Sequence, residues 1–142
     1  MLSVPKLARF TAYLVTTVVV ASLATACQKY DEQKRASLLN DTVRFYTSAI
    51  RWGDFEGAAS AIRPLEGDPL AVDTTHLKGV RVLSNDYRLT AASEDANEAE
   101  MVAVFTYQLS DSASVKTVNQ RATWWYDDQA QRWFLDGTKM PF

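Results

Sequence analysis

Cysteine and histidine are almost absent from this chain of 142 residues, which contains only Cys27 and His76. A single cysteine excludes a disulfide within the chain. A zinc site needs several Cys, His or carboxylate ligands at short spacing, and neither residue has such neighbours in the sequence. A glycine-rich phosphate loop and a Gly-x-Ser-x-Gly motif are also missing. The sequence therefore predicts neither a metal nor another cofactor.

Positive charge is scarce as well, since 15 Lys and Arg stand against 17 Asp and Glu. Lys6 and Arg9 are the only charged residues before Cys27, so 13 basic and 17 acidic residues remain from there on. Proteins that bind nucleic acid usually carry a basic patch or stripe, and the sequence contains none. We therefore expect no nucleic-acid partner.

The first 26 residues follow the order of a secretory signal peptide. Lys6 and Arg9 form a basic start, Phe10–Leu23 is an apolar run (FTAYLVTTVVVASL), and the small residues Ala24-Thr25-Ala26 follow it. At about 14 residues the run is shorter than the ~20 that a membrane-spanning helix requires. We therefore expect residues 1–26 to be a signal peptide that is removed from the mature protein.

The segment Leu23-Ala24-Thr25-Ala26-Cys27 resembles the lipobox of bacterial lipoproteins. The resemblance implies that Cys27 begins the mature chain and carries acyl chains, palmitate among them, that anchor it in a membrane. In enterobacterial sorting an Asp after the cysteine favours the inner membrane, so Gln28 implies the periplasmic face of the outer membrane. The alternative is an ordinary signal peptide cut after Ala26, with Cys27 unmodified.

Two helices are predicted in the first half of the mature chain. Between residues 36 and 52 apolar residues recur at steps of three and four, which indicates an amphipathic helix. Its predicted apolar stripe consists of Leu38, Leu39, Val43, Phe45, Tyr46, Ala49, Ile50 and Trp52. Gly53 is expected to end this helix, and Asp54 to cap a shorter one that Pro64 stops. Residues 64–77 are predicted to be a loop with at most one short helical turn.

After residue 78 the apolar period changes to two, which is typical of strands. Four strands are predicted around residues 80–89, 101–109, 115–126 and 132–136, with polar turns at 93–97, 110–114 and 127–131. Around residues 84–86 the alternation of apolar and polar residues shifts by one position, which predicts a bulge in the first strand. In the second strand, the face expected to lie under the helices carries Met101, Ala103, Phe105, Tyr107 and Leu109.

The sequence thus predicts three segments. Residues 1–26 form a helical signal peptide, 27–35 a lipidated polar tether and 36–142 one domain. For the domain we expect an α+β fold, with two N-terminal helices packed on a curved, antiparallel, four-stranded meander.

Two segments resemble nuclear-transport-factor-2-like proteins, namely RFYTSAIRWGDFEGAASAI (44–62) and TWWYDDQAQRWFLDG (123–137). The resemblance implies a cone-shaped α+β fold of the kind shared with ketosteroid isomerases and polyketide cyclases. Enzymes of that type place a carboxylate base and hydroxyl donors around an apolar cavity.

By residue type, Asp54 and Tyr107 are the candidates for such chemistry, followed by Tyr46 and Asp136. Each has a structural alternative, since Asp54 suits a helix cap, Asp136 a surface turn and Tyr46 the core. The resemblance assigns no catalytic role to any particular position here.

Trp124 and Trp125 are adjacent on a predicted strand, so their rings point to opposite faces of the sheet. One ring should pack under the helices, and the other is a candidate contact for a ligand or partner. The alternative is that this second ring packs against another strand or the C-terminal KMPF segment. We expect a non-enzymatic binding module for an envelope protein or a small apolar ligand, the alternative being an isomerase- or cyclase-type enzyme.

Overall fold

In the computed structural model, residues 7–91 and 97–142 are described. Residues 93–96 of the predicted turn at 93–97 lie outside these ranges. The chain divides into two compact units, Met1–Lys34 and Arg35–Phe142. Within the described ranges, no helix combines the length and apolarity that a membrane crossing requires.

The first helix, α1 (Leu7–Trp52), includes the segment 27–35 that was expected to be a tether. In the second unit, α1 buries a row on the face that the sequence predicted, formed by Val43, Tyr46, Ala49 and Ile50. Two members of the predicted stripe are instead exposed, since Phe45 and Trp52 point away from this row. The apolar stripe of α1 is therefore narrower than the sequence suggested.

A left-handed Gly53 (φ 78°) ends α1, as predicted, and Asp54 caps α2 (Phe55–Ala59). The second helix is shorter than its apolar pattern suggested, because the residues after it leave helical geometry to pair with a strand. Ile62 forms a parallel bridge with Leu135. The loop that follows contains one short 3-10 turn, Thr75–Leu77.

Four antiparallel strands follow in the order of the sequence and curl around the core: β1 (Val80–Ala91), β2 (Glu98–Leu109), β3 (Val115–Asp127) and β4 (Arg132–Leu135). The register of β1 against β2 shifts between Val82 and Ser84, which places the predicted bulge at the start of the expected segment. The α+β class and the four-stranded meander are confirmed.

From Glu98 to Phe105 the side chains of β2 alternate between the solvent and the core, as their apolar pattern predicted, whereas the last four residues, Tyr107 and Leu109 among them, are all half-buried. Met101, Ala103 and Phe105 are fully buried on the inner face, whereas Val102 and Val104 are exposed on the outer face. The inner face packs against the buried row of α1, and both belong to one hydrophobic cluster. This cluster fixes the position of α1 on the sheet.

Candidate functional site

Aromatic side chains fill the space between α1 and the inner face of the sheet. Tyr46 of α1 packs edge-on against Trp124 of β3, with ring centroids 5.6 Å apart, and both residues are fully buried. The Tyr46 hydroxyl hydrogen-bonds to the Gln120 side-chain amide, at 2.9 Å from Nε2 and 3.1 Å from Oε1. Burial raises the pKa of Tyr46 to about 12, and the bond to Gln120 opposes that rise. The hydroxyl therefore stays protonated at neutral pH.

A second aromatic group lies between the start of α2 and the C-terminal half of β2. The Phe142 ring lies 5.2 Å from Tyr107, 5.7 Å from Phe105 and 6.1 Å from Phe55, measured between ring centroids. Tyr107 is half-buried in this group. Its contacts are those of a packing residue at the edge of the core.

Both candidate carboxylates are engaged in holding the backbone. Asp54 Oδ1 accepts a hydrogen bond from the Gly57 N–H at 2.9 Å, which caps α2. Asp136 Oδ1 accepts one from the Leu65 N–H at 2.8 Å. His76 is exposed in the 3-10 turn. Among the residues that the structure describes, no three His, Cys, Asp or Glu side chains come close enough to hold a metal ion.

The two neighbouring tryptophans lie on opposite faces of β3, as expected. Trp124 is fully buried, and its indole N–H points at the Met101 sulfur, 3.4 Å away. Trp125 is half-buried on the outer face, where its ring packs against Phe134 with a centroid distance of 5.5 Å. Its indole N–H donates to the Arg63 carbonyl oxygen at 3.0 Å. Trp125 is thus the member of the pair that reaches the surface, and part of its ring is used within the domain.

Arg63 and Asp127 complete the surroundings of Trp125. The Arg63 guanidinium lies 5.5 Å from the Trp125 ring centroid and donates to Asp127 Oδ2 at 2.9 Å. The backbone N–H groups of Ala130 and Gln129, together with Arg63, hold the pKa of Asp127 below its usual range against the effect of burial. Asp127 therefore stays ionised and fixes both the hairpin loop and Arg63.

The most exposed aromatic side chains of the domain lie on the back of α1. Trp52 is 79% exposed and Phe45 is 51% exposed. They border an open groove of about 530 Å³ whose lining is completed by Asp41, Arg44, Ser48, Ala49 and Asp54. Ser48 and Ala49, which belong to this lining, lie between Phe45 and Trp52 in the sequence of the helix. We call this surface the α1 groove.

The α1 groove could have been found in the sequence from helical geometry. Each residue advances about 100° around a helix, so Phe45 and Trp52, seven residues apart, differ by only roughly 20°. The same geometry places both at roughly 100° or more from Val43, Tyr46 and Ile50. An apolar pair this far from the buried row is expected on a different face. Phe45 and Trp52 are counted in the predicted apolar stripe only when their angular positions around the helix are not considered.

No protein-family model matches the chain, and no curated protein matches it.

Proposed function

We propose that this protein is a lipid-anchored component of the bacterial envelope whose domain is a non-enzymatic module for binding a protein partner. The exposure of Trp52 beside Phe45 on a fixed helix is the observation that carries the proposal. Large aromatic side chains dominate protein interfaces because they remove much apolar area from water while few rotors are frozen. A pair of them left in water on a small domain favours a contact surface.

Rigidity of the helix supports this choice. The face of α1 opposite the groove is held by Tyr46 and Ile50, which are fully buried against the sheet. Phe45 and Trp52 therefore keep their spacing without a partner, so little entropy is lost when one binds. Trp125 is the second proposed contact residue, but its ring is already packed on Phe134 and Arg63.

The charges around the α1 groove indicate what kind of partner it fits. Asp41 and Arg44 are paired at 3.2 Å, and the Arg51 guanidinium lies 5.2 Å from the Trp52 ring centroid. Charges of both signs thus lie beside the two exposed aromatic rings. Such a groove suits an apolar segment flanked by mixed charge, for example one face of an amphipathic helix, better than a polyanion.

The lipid anchor and the family relationship belong to the same proposal. Cys27 would carry the acyl chains, and Gln28 would direct the protein to the outer membrane. The curled sheet with a helix across it supports a cone-like fold of the nuclear-transport-factor-2 type. Packed side chains occupy the region in which an enzyme of that type would keep its cavity, including Trp124, Tyr46 and Phe105. This favours an external binding surface over the isomerase or cyclase alternative.

Site-specific photo-crosslinking in intact cells tests the proposal. A photoreactive amino acid at Trp52 should yield a discrete adduct whose protein partner mass spectrometry identifies. Phe45→Ala in the same chain should reduce that adduct at least about fivefold, because the neighbouring anchor is lost. The matched control is the same photoreactive group at Thr117, an exposed position on the outer face of the sheet.

Equal adducts from both positions, or none from Trp52, would contradict the α1 groove as a binding surface. Trp52→Ala should leave the free energy of unfolding within about 0.5 kcal/mol of the wild type, because the ring is exposed. A large loss of stability would instead mean that Trp52 serves the fold.

A further inference from the structure

The two edge strands of the sheet differ in whether other parts of the chain hydrogen-bond to their backbone. At β4, the residues after α2 pair with the edge: the Arg63 N–H donates to the Leu135 carbonyl at 2.9 Å, and the Leu135 N–H donates to the Ala61 carbonyl at 2.8 Å. These two bonds close the edge at Leu135, the last residue of the short strand. β1 forms the opposite edge and is 12 residues long.

Only the first part of β1 is protected. The register shift after Val82 interrupts the edge, and the Arg51 guanidinium donates to the Val82 carbonyl at 2.8 Å. From Asn85 to Ala91 the strand pairs with β2 in a continuous register. Over this stretch, hydrogen bonds to the β1 backbone among the described residues come from β2 alone. Asn85–Ala91, which we call the open edge, is thus available to another strand.

The open edge carries opposite charges on either side of Tyr87. Asp86 and Arg88 are exposed on the outer face of the sheet, and their partners in β2 are Val104 and Val102. Neither forms an ion pair with any of the residues that the structure describes. Single charges on an edge strand usually discourage pairing with other chains. Two opposite charges two residues apart can instead favour one register between two antiparallel strands over the others.

We infer that two copies of this chain pair through their open edges, antiparallel and with the two-fold axis at Tyr87. In this register Asp86 lies opposite Arg88 of the second copy, and the reverse pair forms at the same time. Centring the pair on Asp86 or on Arg88 would place like charges opposite each other, which is destabilising. The charge pattern therefore favours one register and a second copy as the occupant.

The inner face is compatible with the same register. Tyr87 would meet Tyr87 of the second copy, and Asn85 would meet Leu89. Tyr87 and Leu89 are half-buried at the margin of the core. A second strand would cover their exposed sides. The product is a continuous eight-stranded sheet. The inference does not depend on the proposed function, because the residues of the open edge are not those that line the α1 groove.

Sedimentation equilibrium of the full, processed chain in a density-matched detergent tests the inference. We expect a reversible monomer–dimer equilibrium. Asp86→Arg or Arg88→Asp alone should weaken the dimer at least about tenfold, because each creates two like-charge pairs. The double variant, Asp86→Arg with Arg88→Asp, should return the dissociation constant to within about threefold of the wild type. Arg81→Asp, before the register shift, is the matched control and should change little.

A monomer at every concentration would overturn the inference, and so would single reversals without effect or a double variant that fails to recover. A dimer that responds to Trp52→Ala but not to the charge reversals would place the interface at the α1 groove instead. Circular dichroism of each variant confirms that the sheet is intact before its association is compared.

Discussion

Burial and hydrogen bonding have opposite effects on the pKa of Tyr46. Its ring is fully enclosed, and its hydroxyl is satisfied by Gln120. Ionising this group would place a charge in the core, which is why its pKa rises to about 12. The residue therefore couples the stability of the domain to alkaline pH.

The sign of this coupling follows from linkage. Because the pKa of Tyr46 is higher in the folded state, its contribution is fully present below its ordinary pKa near 10 and is lost as the pH rises towards 12. A difference of this size corresponds to about 3 kcal/mol of unfolding free energy once the pH exceeds both values. Tyr46→Phe should lack this loss between pH 10 and 12.

Urea denaturation of the wild type and Tyr46→Phe at matched pH values measures the difference. The two proteins differ only at position 46, so effects of pH that they share cancel in the comparison. If the free energies of unfolding of the two proteins changed equally with pH above pH 10, the raised pKa would not belong to Tyr46.

Individual residues were predicted well where one local rule decides their place. Gly53 ends α1 because a residue with positive φ is needed there, and Asp54 follows as a cap. The opposite facing of Trp124 and Trp125 follows from the two-residue repeat of a strand. Which of the two is buried depends on what covers each face, so it required the tertiary structure.

Among the elements, the short helix α2 depends on its cap more than a long helix would. It has only five residues, and Asp54 satisfies the N–H of Gly57. The β4 edge takes up Ala61 and Arg63 immediately after it. The position of α2 thus connects the end of α1 to the closed edge of the sheet.

We expect Asp54→Ala to lower the free energy of unfolding by about 1 kcal/mol, because one backbone N–H loses its partner. Asp54→Asn should lose much less, since its side-chain oxygen still accepts the bond. Chemical denaturation of the three proteins measures both effects. If Asp54 were instead a catalytic base, Asp54→Asn would abolish a turnover while leaving stability unchanged.

Strand positions were predicted more reliably than the end of α2, because strand alternation is local. The inner face of β2 could be read directly from Met101 to Phe105. The end of α2 could not, because Ile62 pairs with Leu135, and a contact between residues so far apart leaves no trace in local periodicity. The α1 groove could be predicted from the sequence only through the angular positions of Phe45 and Trp52 on the helix. The charges of Asp86 and Arg88 indicate a pairing register only once β1 is known to form an open edge of the sheet.

For the whole molecule, the proposed anchor gives the most direct prediction. Cys27→Ser should abolish incorporation of labelled palmitate and release the processed protein from the membrane fraction, because in the proposal Cys27 is the residue that carries the acyl chains. Gln28→Asp is the matched control. It should keep the label and move the protein from the outer to the inner membrane in an enterobacterial host. Palmitate on the Cys27→Ser chain, or a cleaved chain that stays with the membrane, would contradict lipidation at Cys27.

The closure of the β4 edge also constrains the order in which the domain can fold. The bond from the Arg63 N–H to the Leu135 carbonyl joins residues that are far apart in the sequence, as does the bond from the Trp133 indole to the Arg35 carbonyl. Contacts of this kind slow folding, because a long stretch of chain must be confined before they form. In the export that we propose, α1 and the segment around Arg63 would leave the translocation pore well before β4. The last hairpin would then complete folding only after transport, and the chain would stay flexible until that point.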